Sequence, residues 1–204
     1  MKRMVLMALL TMALPLAAFA GSAGSVGFTS GTGVLTGSSA GLSLGSSELI
    51  TVNGLNGLGL VTGGLGSVSF STGALTSGSL NMGGTFASGG TFIITGNGTD
   101  GIPSGTIFKG SFTGPVTWTL VTLGNSTHNY ELNGQISGTW FNGSTVYGAT
   151  VQLTINTGKG FFGGSTNISS GDTNITTVPE PGTLGLLGTG LLGLAGVLHR
   201  KLKA

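Results

Sequence analysis

Between Val68 and Thr157 the chain alternates apolar and polar residues with a period of two, the signature of half-buried strands. Val116, Trp118 and Leu120 fall on one face, with Thr117 and Thr119 on the other. Further short β-branched and aromatic runs cover 91–95, 106–112, 130–136, 138–141 and 145–155, separated by Gly, Asn and Pro. Tyr130, Leu132, Ile136 and Trp140 share a face if no bulge intervenes, and Tyr147, Val151, Leu153 and Ile155 alternate with Val146 and polar partners. Asn142-Gly143 between the last two runs predicts a hairpin with a type I′ turn. No helical periodicity occurs between Gly21 and Val178. The pattern therefore predicts an all-β fold, an antiparallel sandwich-like domain over 67–157 whose roughly 90 residues enclose one modest core.

The flanks of this domain are different in texture. Residues 21–66 are rich in Gly, Ser and Leu, and two readings stand side by side: irregular or edge structure with partial burial of the recurring Leu and Val, or a flexible linker. Residues 158–177 return to Gly, Ser and Asn and read as a linker.

Both ends of the chain point to a membrane. Lys2 and Arg3 precede an apolar run, and Ala18 and Ala20 supply the small residues of a signal-peptide cleavage site before Gly21, so residues 1–20 read as a leader. Near the other end no charge occurs from Pro181 to Leu198, long enough for a helix of about 27 Å against a hydrocarbon core of about 30 Å. A transmembrane helix is expected at about 182–198, with Arg200, Lys201 and Lys203 as its cytoplasmic basic anchor. The positive-inside rule then places residues 21–180 across the membrane, exported.

Composition narrows the chemistry. Outside the two ends, Lys109 and Lys159 face Glu48, Asp100, Glu131 and Asp172, a net charge of −2 that gives nucleic acid nothing to bind. The absence of Cys excludes disulfides, thiolate metal sites and a cysteine nucleophile. Residues 96–101 and 158–163 both match G-x-G-x-x-G, but neither opens a helix, so they read as turns. Asp100 and Glu131 are the one carboxylate pair to nominate for glycoside hydrolysis, and Asp100-Gly101 already makes sense as a turn. His128 is the one exported histidine; it leaves a zinc site without a His partner and reads as a solvent-facing loop residue. The expectation is no metal, no cofactor and no enzyme. Trp118 and Trp140, with Tyr130 and Tyr147, are candidate glycan contacts, although aromatics at alternating positions are more often core. Asn97, Asn125, Asn142, Asn167 and Asn174 begin N-x-S/T sequons, read as accidents of an Asn-, Ser- and Thr-rich composition.

The stretch from Val178 to Lys203 resembles the PEP-CTERM protein-sorting signal: Val178-Pro179-Glu180-Pro181, then a Gly/Leu span, then Arg200-Lys201. A Pro-Glu-Pro triplet alone is weak, whereas followed by a span and a basic terminus on an exported chain it is specific. The resemblance implies recognition of Pro179, Glu180 and Pro181 by exosortase, a membrane-embedded transpeptidase-like enzyme, after export by signal peptidase and the export machinery. It further implies an inner-membrane stage, then a cell-surface or extracellular location in a Gram-negative bacterium that makes exopolysaccharide and biofilm. The expected function is a non-enzymatic surface or matrix protein. The alternative is a carbohydrate-binding or adhesive module.

Overall fold

The computed structural model describes residues 25–168, 170–176 and 190; the leader and nearly all of the tail, including the helix expected at about 182–198, lie outside them save for Gly190. Thirteen strands cover the rest: β1 (Ser25–Ser30), β2 (Gly33–Ser38), β3 (Gly41–Asn53), β4 (Leu60–Ser71), β5 (Leu75–Ser79), β6 (Gly83–Phe86), β7 (Gly89–Asn97), β8 (Ser104–Phe112), β9 (Val116–Thr122), β10 (His128–Trp140), β11 (Thr145–Gly158), β12 (Ser165–Ile168) and β13 (Gly171–Thr176). Every pairing among them is antiparallel.

These strands reduce to eight continuous staves. β1 and β2 both lie along one edge of β3, interrupted only at Gly31-Thr32, where Gly31 N–H donates to Glu48 C=O and Glu48 N–H donates to Thr32 C=O across the kink. In the same way β4 continues into β5, β6 into β7, β8 into β9 along β10, and β12 into β13. Each stave pairs with the next in sequence, and the last closes on the first through β13 and β1. The result is an up-and-down barrel. The sandwich expected from the sequence gives way to this closed ring because β10 and β11 join two halves that a sandwich would leave apart.

Closure also changes the reading of the flanks. Leu49 and Val52 on β3 and Leu65 and Val68 on β4 point into the core, so the described part of the Gly-rich 21–66 segment, from Ser25 on, supplies barrel wall rather than linker or edge. Residues 165–168 and 171–176, read as linker, are β12 and β13, the stave that seals the ring. High glycine content is compatible with a wall because these strands have partners on both sides, and because small residues make room for large ones. A Cβ on Gly134 would sit 2.7 Å from the Phe112 ring, and one on Gly37 would meet Leu42 at 2.7 Å and Phe162 at 2.8 Å. Eight strands leave an interior that side chains just fill.

Two aromatic groups occupy that interior. Phe28, Trp140, Phe108, Phe92, Phe70 and Phe112 form a chain of stacked and edge-on contacts at centroid distances between 5.1 and 6.4 Å. Trp118, Tyr130 and Phe162 form the second, nearer the hairpins that lie away from the chain ends.

Two local details depart from the alternation read in the sequence. Within the turn between β10 and β11 Gly143 alone has positive φ (82°) and donates its N–H to Trp140 C=O, so the turn is centred on Phe141-Asn142 with a left-handed glycine after it, rather than type I′. Between Ile136 and Gly138 the β10–β11 register slips by one, giving a bulge at Tyr147-Gly148. Val146 therefore turns inward and Tyr147 outward, 55% exposed.

Candidate functional site: the closing stave and the tail that follows it

β13 is built as interior wall. Gly171, Thr173 and Ile175 face the core, with Ile175 fully buried, while Asp172 and Asn174 face outward. Its register sets Ser25 opposite Thr176, so the chain enters and leaves the barrel side by side at one end. Outward-facing side chains tie the seam: Thr29 Oγ1 donates to Asp172 Oδ1 at 2.9 Å, and Ser25 Oγ donates to Asn174 Oδ1 at 2.5 Å.

The outer face around this seam is a ladder of hydrogen-bonding groups, five threonine hydroxyls and two carboxylates. Register places Thr62, Thr51, Thr29, Asp172, Thr154, Glu131 and Thr119 in one row across seven neighbouring strands. A shallow trough of about 410 Å³ runs beside it, floored at Gly27 and walled by Asn53, Asn174 and Gln152. No charge other than the carboxylates of Asp172 and Glu131 belongs to this row.

The aromatic candidates separate. Trp118 is 1% exposed, stacked on Tyr130 at 4.7 Å and 14°, with Phe162 edge-on at 5.5 Å and its Nε1–H given to Leu80 C=O. It has no free ring face for a sugar. Trp140 is half-buried against Phe108 and Phe28, and the exposed aromatics are Phe141, Tyr147 and Phe161. Asp100 sits in the β7–β8 turn with φ 52°, at the end of the barrel where Trp140 pairs with Phe108. Glu131 lies nine residues back along β10, roughly 30 Å at about 3.3 Å per residue, so the structure does not bring the two carboxylates together. His128 is buried, stacked on Phe161 at 4.3 Å, with Nδ1 3.2 Å from Thr122 Oγ1; it is a packed residue and not the loop residue its surroundings in the sequence suggest. Among the described residues no group of three His, Cys, Asp or Glu is placed to hold a metal ion.

Three sequons turn out to be turn chemistry. Asn97, Asn125 and Asn142 each accept the backbone N–H of the residue two ahead, at 3.1, 3.1 and 2.9 Å, and the intervening Gly98, Ser126 and Gly143 all have positive φ. Such a side chain mimics the backbone of a turn. The signal was present in the sequence as a repeated Asn-x-Thr/Ser between strands.

The residues expected to carry sorting lie outside the described ones: Pro179, Glu180 and Pro181, Arg200, Lys201 and Lys203, and Ala18, Ala20 and Gly21. Their assignment comes from comparison with known families. Residues 177–201 match the PEP-CTERM protein-sorting motif. The motif starts at the residue after Thr176, so the closing stave runs straight into the sorting signal with no linker between. It marks the chain as an exported protein sorted through its C-terminal tail. No curated protein and no solved structure matches the chain. Among the described residues no helix is long and apolar enough to cross a membrane.

Proposed function

We propose that this chain is a non-enzymatic protein of the cell surface or extracellular matrix, delivered by exosortase through its tail and associated there with exopolysaccharide. The observation that carries the reading is the sorting motif at residues 177–201, attached directly to the strand that closes the barrel. On this reading Pro179, Glu180 and Pro181 are recognition residues, the 182–198 helix holds the chain in the inner membrane before processing, and Arg200, Lys201 and Lys203 stay on the cytoplasmic side. The barrel is the delivered cargo. Its interior is filled with side chains, and its outer face offers hydroxyls and amides with little charge, a surface suited to hydrated neutral polymer.

Intact mass and N-terminal sequence of the protein from an exporting host test the proposal, with Pro179→Ala/Pro181→Ala alongside. The expected product begins at Gly21 and lacks the residues after Pro-Glu-Pro, and the double variant retains them. A wild-type chain that keeps its tail in the membrane overturns exosortase processing and leaves a simple C-terminally anchored protein.

A second reading, a carbohydrate-binding or adhesive module, draws on Tyr147 and Phe141, both exposed on the β10–β11 hairpin, with the half-buried Trp140 beside Phe141 in sequence. Saturable glycan binding that Tyr147→Ala or Trp140→Ala abolishes without unfolding separates it from a scaffold.

A further inference from the structure

The trough beside the closing seam is bordered by two rows of outward side chains that differ in chemistry. One is the row of threonines and carboxylates. The other lies two residues along each strand, toward the end where the chain enters and leaves the barrel. Register sets Asn53 against Leu60 on one side and Gly27 on the other, Gly27 against Asn174, and Gln152 against Asn133. Thr150 opposite Thr176 and Leu153 opposite Thr173 put Gln152 across from Asn174. Asn133, Gln152 and Asn174 therefore stand in line on three adjacent strands at steps of about 5 Å, and Asn53 follows about 10 Å beyond Asn174, across the gap that Gly27 leaves.

Asparagine is a poor strand former. Asn97, Asn125 and Asn142 serve turns, each accepting a backbone N–H, whereas Asn133, Gln152 and Asn174 stand inside strands. Asn53, Gln152 and Asn174 are exposed, and Ser25 Oγ donates to the Asn174 amide oxygen and fixes that side chain at the trough wall. We propose that the trough is a binding site for a neutral polysaccharide, with the amide row as its contact. A side-chain amide presents donors and an acceptor in one plane, so it bonds two neighbouring sugar hydroxyls at once. Leu60, exposed at the end of the row, offers an apolar contact for the C–H face of a sugar ring.

The charge of the trough selects the polymer. Asp172 lines it and Glu131 lies in the neighbouring row, while among the described residues no lysine or arginine lines it. A uronate or sulfate group would meet like charge there, whereas a hydroxyl finds both donors and acceptors. The site rests on the reading that the barrel associates with exopolysaccharide, and narrows that partner to an uncharged sugar polymer.

Gly27 allows the trough to be filled. A Cβ there meets only Asn53 Cβ, at 3.9 Å, and its φ is not positive, so Gly27→Leu occupies the trough from the outer face. Full-length chain in mild detergent is run through native gels containing a neutral β-glucan, a neutral galactomannan or polygalacturonate. Retardation by a neutral polymer, and none by polygalacturonate, is expected. Gly27→Leu should weaken it roughly tenfold or more by exclusion, and Gln152→Ala about two- to tenfold through lost hydrogen bonds, each with the cooperative thermal transition retained. Gln152→Ala, an exposed truncation, decides the matter if Gly27→Leu does not fold. Tyr147→Ala should leave retardation unchanged. Retardation that both trough variants leave intact, or that Tyr147→Ala abolishes instead, overturns the trough while association with exopolysaccharide stands. No retardation by either neutral polymer overturns both, and stronger retardation by polygalacturonate overturns the neutral assignment.

Discussion

Tyr130 donates its hydroxyl to Asn81 C=O at 2.8 Å while its ring lies 14° from parallel to the indole of Trp118. The same hydroxyl accepts Phe162 N–H at 2.9 Å, so one buried side chain ties the β5–β6 hairpin to the segment between β11 and β12. A phenol here has three jobs, of which a hydrocarbon ring can do only the first: it packs, donates and accepts.

Tyr130→Phe keeps the ring and strands both loop groups. The expected cost is about 1–3 kcal/mol, seen as a lower urea midpoint with an unchanged slope. Trp118→Ala empties the stacked partner and should cost about 3–5 kcal/mol. If Tyr130→Phe melts like wild type, the two loops are held by something other than this hydroxyl.

Among the described residues two buried hydroxyls are without partners, Ser47 Oγ and Thr173 Oγ1. Replacing an unsatisfied buried hydroxyl by a methyl of similar shape removes a desolvation penalty, so Thr173→Val is expected to stabilise the barrel by roughly 1 kcal/mol. Calorimetry on the paired proteins checks the sign; a lower melting temperature would mean that a water satisfies Thr173.

Gly134 faces Phe112 so closely that any side chain must displace the ring. Gly134→Val should therefore cost about 1–3 kcal/mol through overpacking. Gly45, whose added Cβ would meet nothing within 4 Å and whose φ is not positive, is the control, and Gly45→Ala should stay within about 0.5 kcal/mol of wild type.

Removing the closing stave should be far worse than removing the tail. Chains ending at Gly164 leave β1 and β11 with open edges and Phe28, Leu153 and Ile155 uncovered, and are expected to lose the cooperative transition. Chains ending at Thr177 retain all thirteen strands and should melt as the full-length protein does. Circular dichroism melts of the two truncations distinguish a structural β12–β13 from a dispensable linker.

Much of the middle of the barrel was legible from residue order. Val116, Trp118 and Leu120 point inward as their spacing requires, Tyr130, Leu132 and Ile136 share the inner face, and the strand class holds throughout. Period-two alternation works there because one face of each strand meets the core and the other meets water. It fails at Tyr147, where a one-residue bulge swaps the faces, and no local composition announces it.

The flanks show what pattern reading misses. Residues 21–66 read as irregular edge structure or linker, and 158–177 as linker, because glycine is usually spent in turns, and whether a glycine-rich strand forms depends on neighbours that arrive from elsewhere in the chain. β1 finds β13 across roughly 150 residues, a pairing that only the closed ring explains. The sorting tail is the opposite case. Its recognition residues, apolar span and basic end lie within one short contiguous stretch, so the sequence alone determined that signal, as it determined the all-β class and the low charge between the two ends. Tertiary structure decided that the sheet closes into a barrel and that Trp118 and His128 are buried, because each depends on which strands lie side by side after long-range closure.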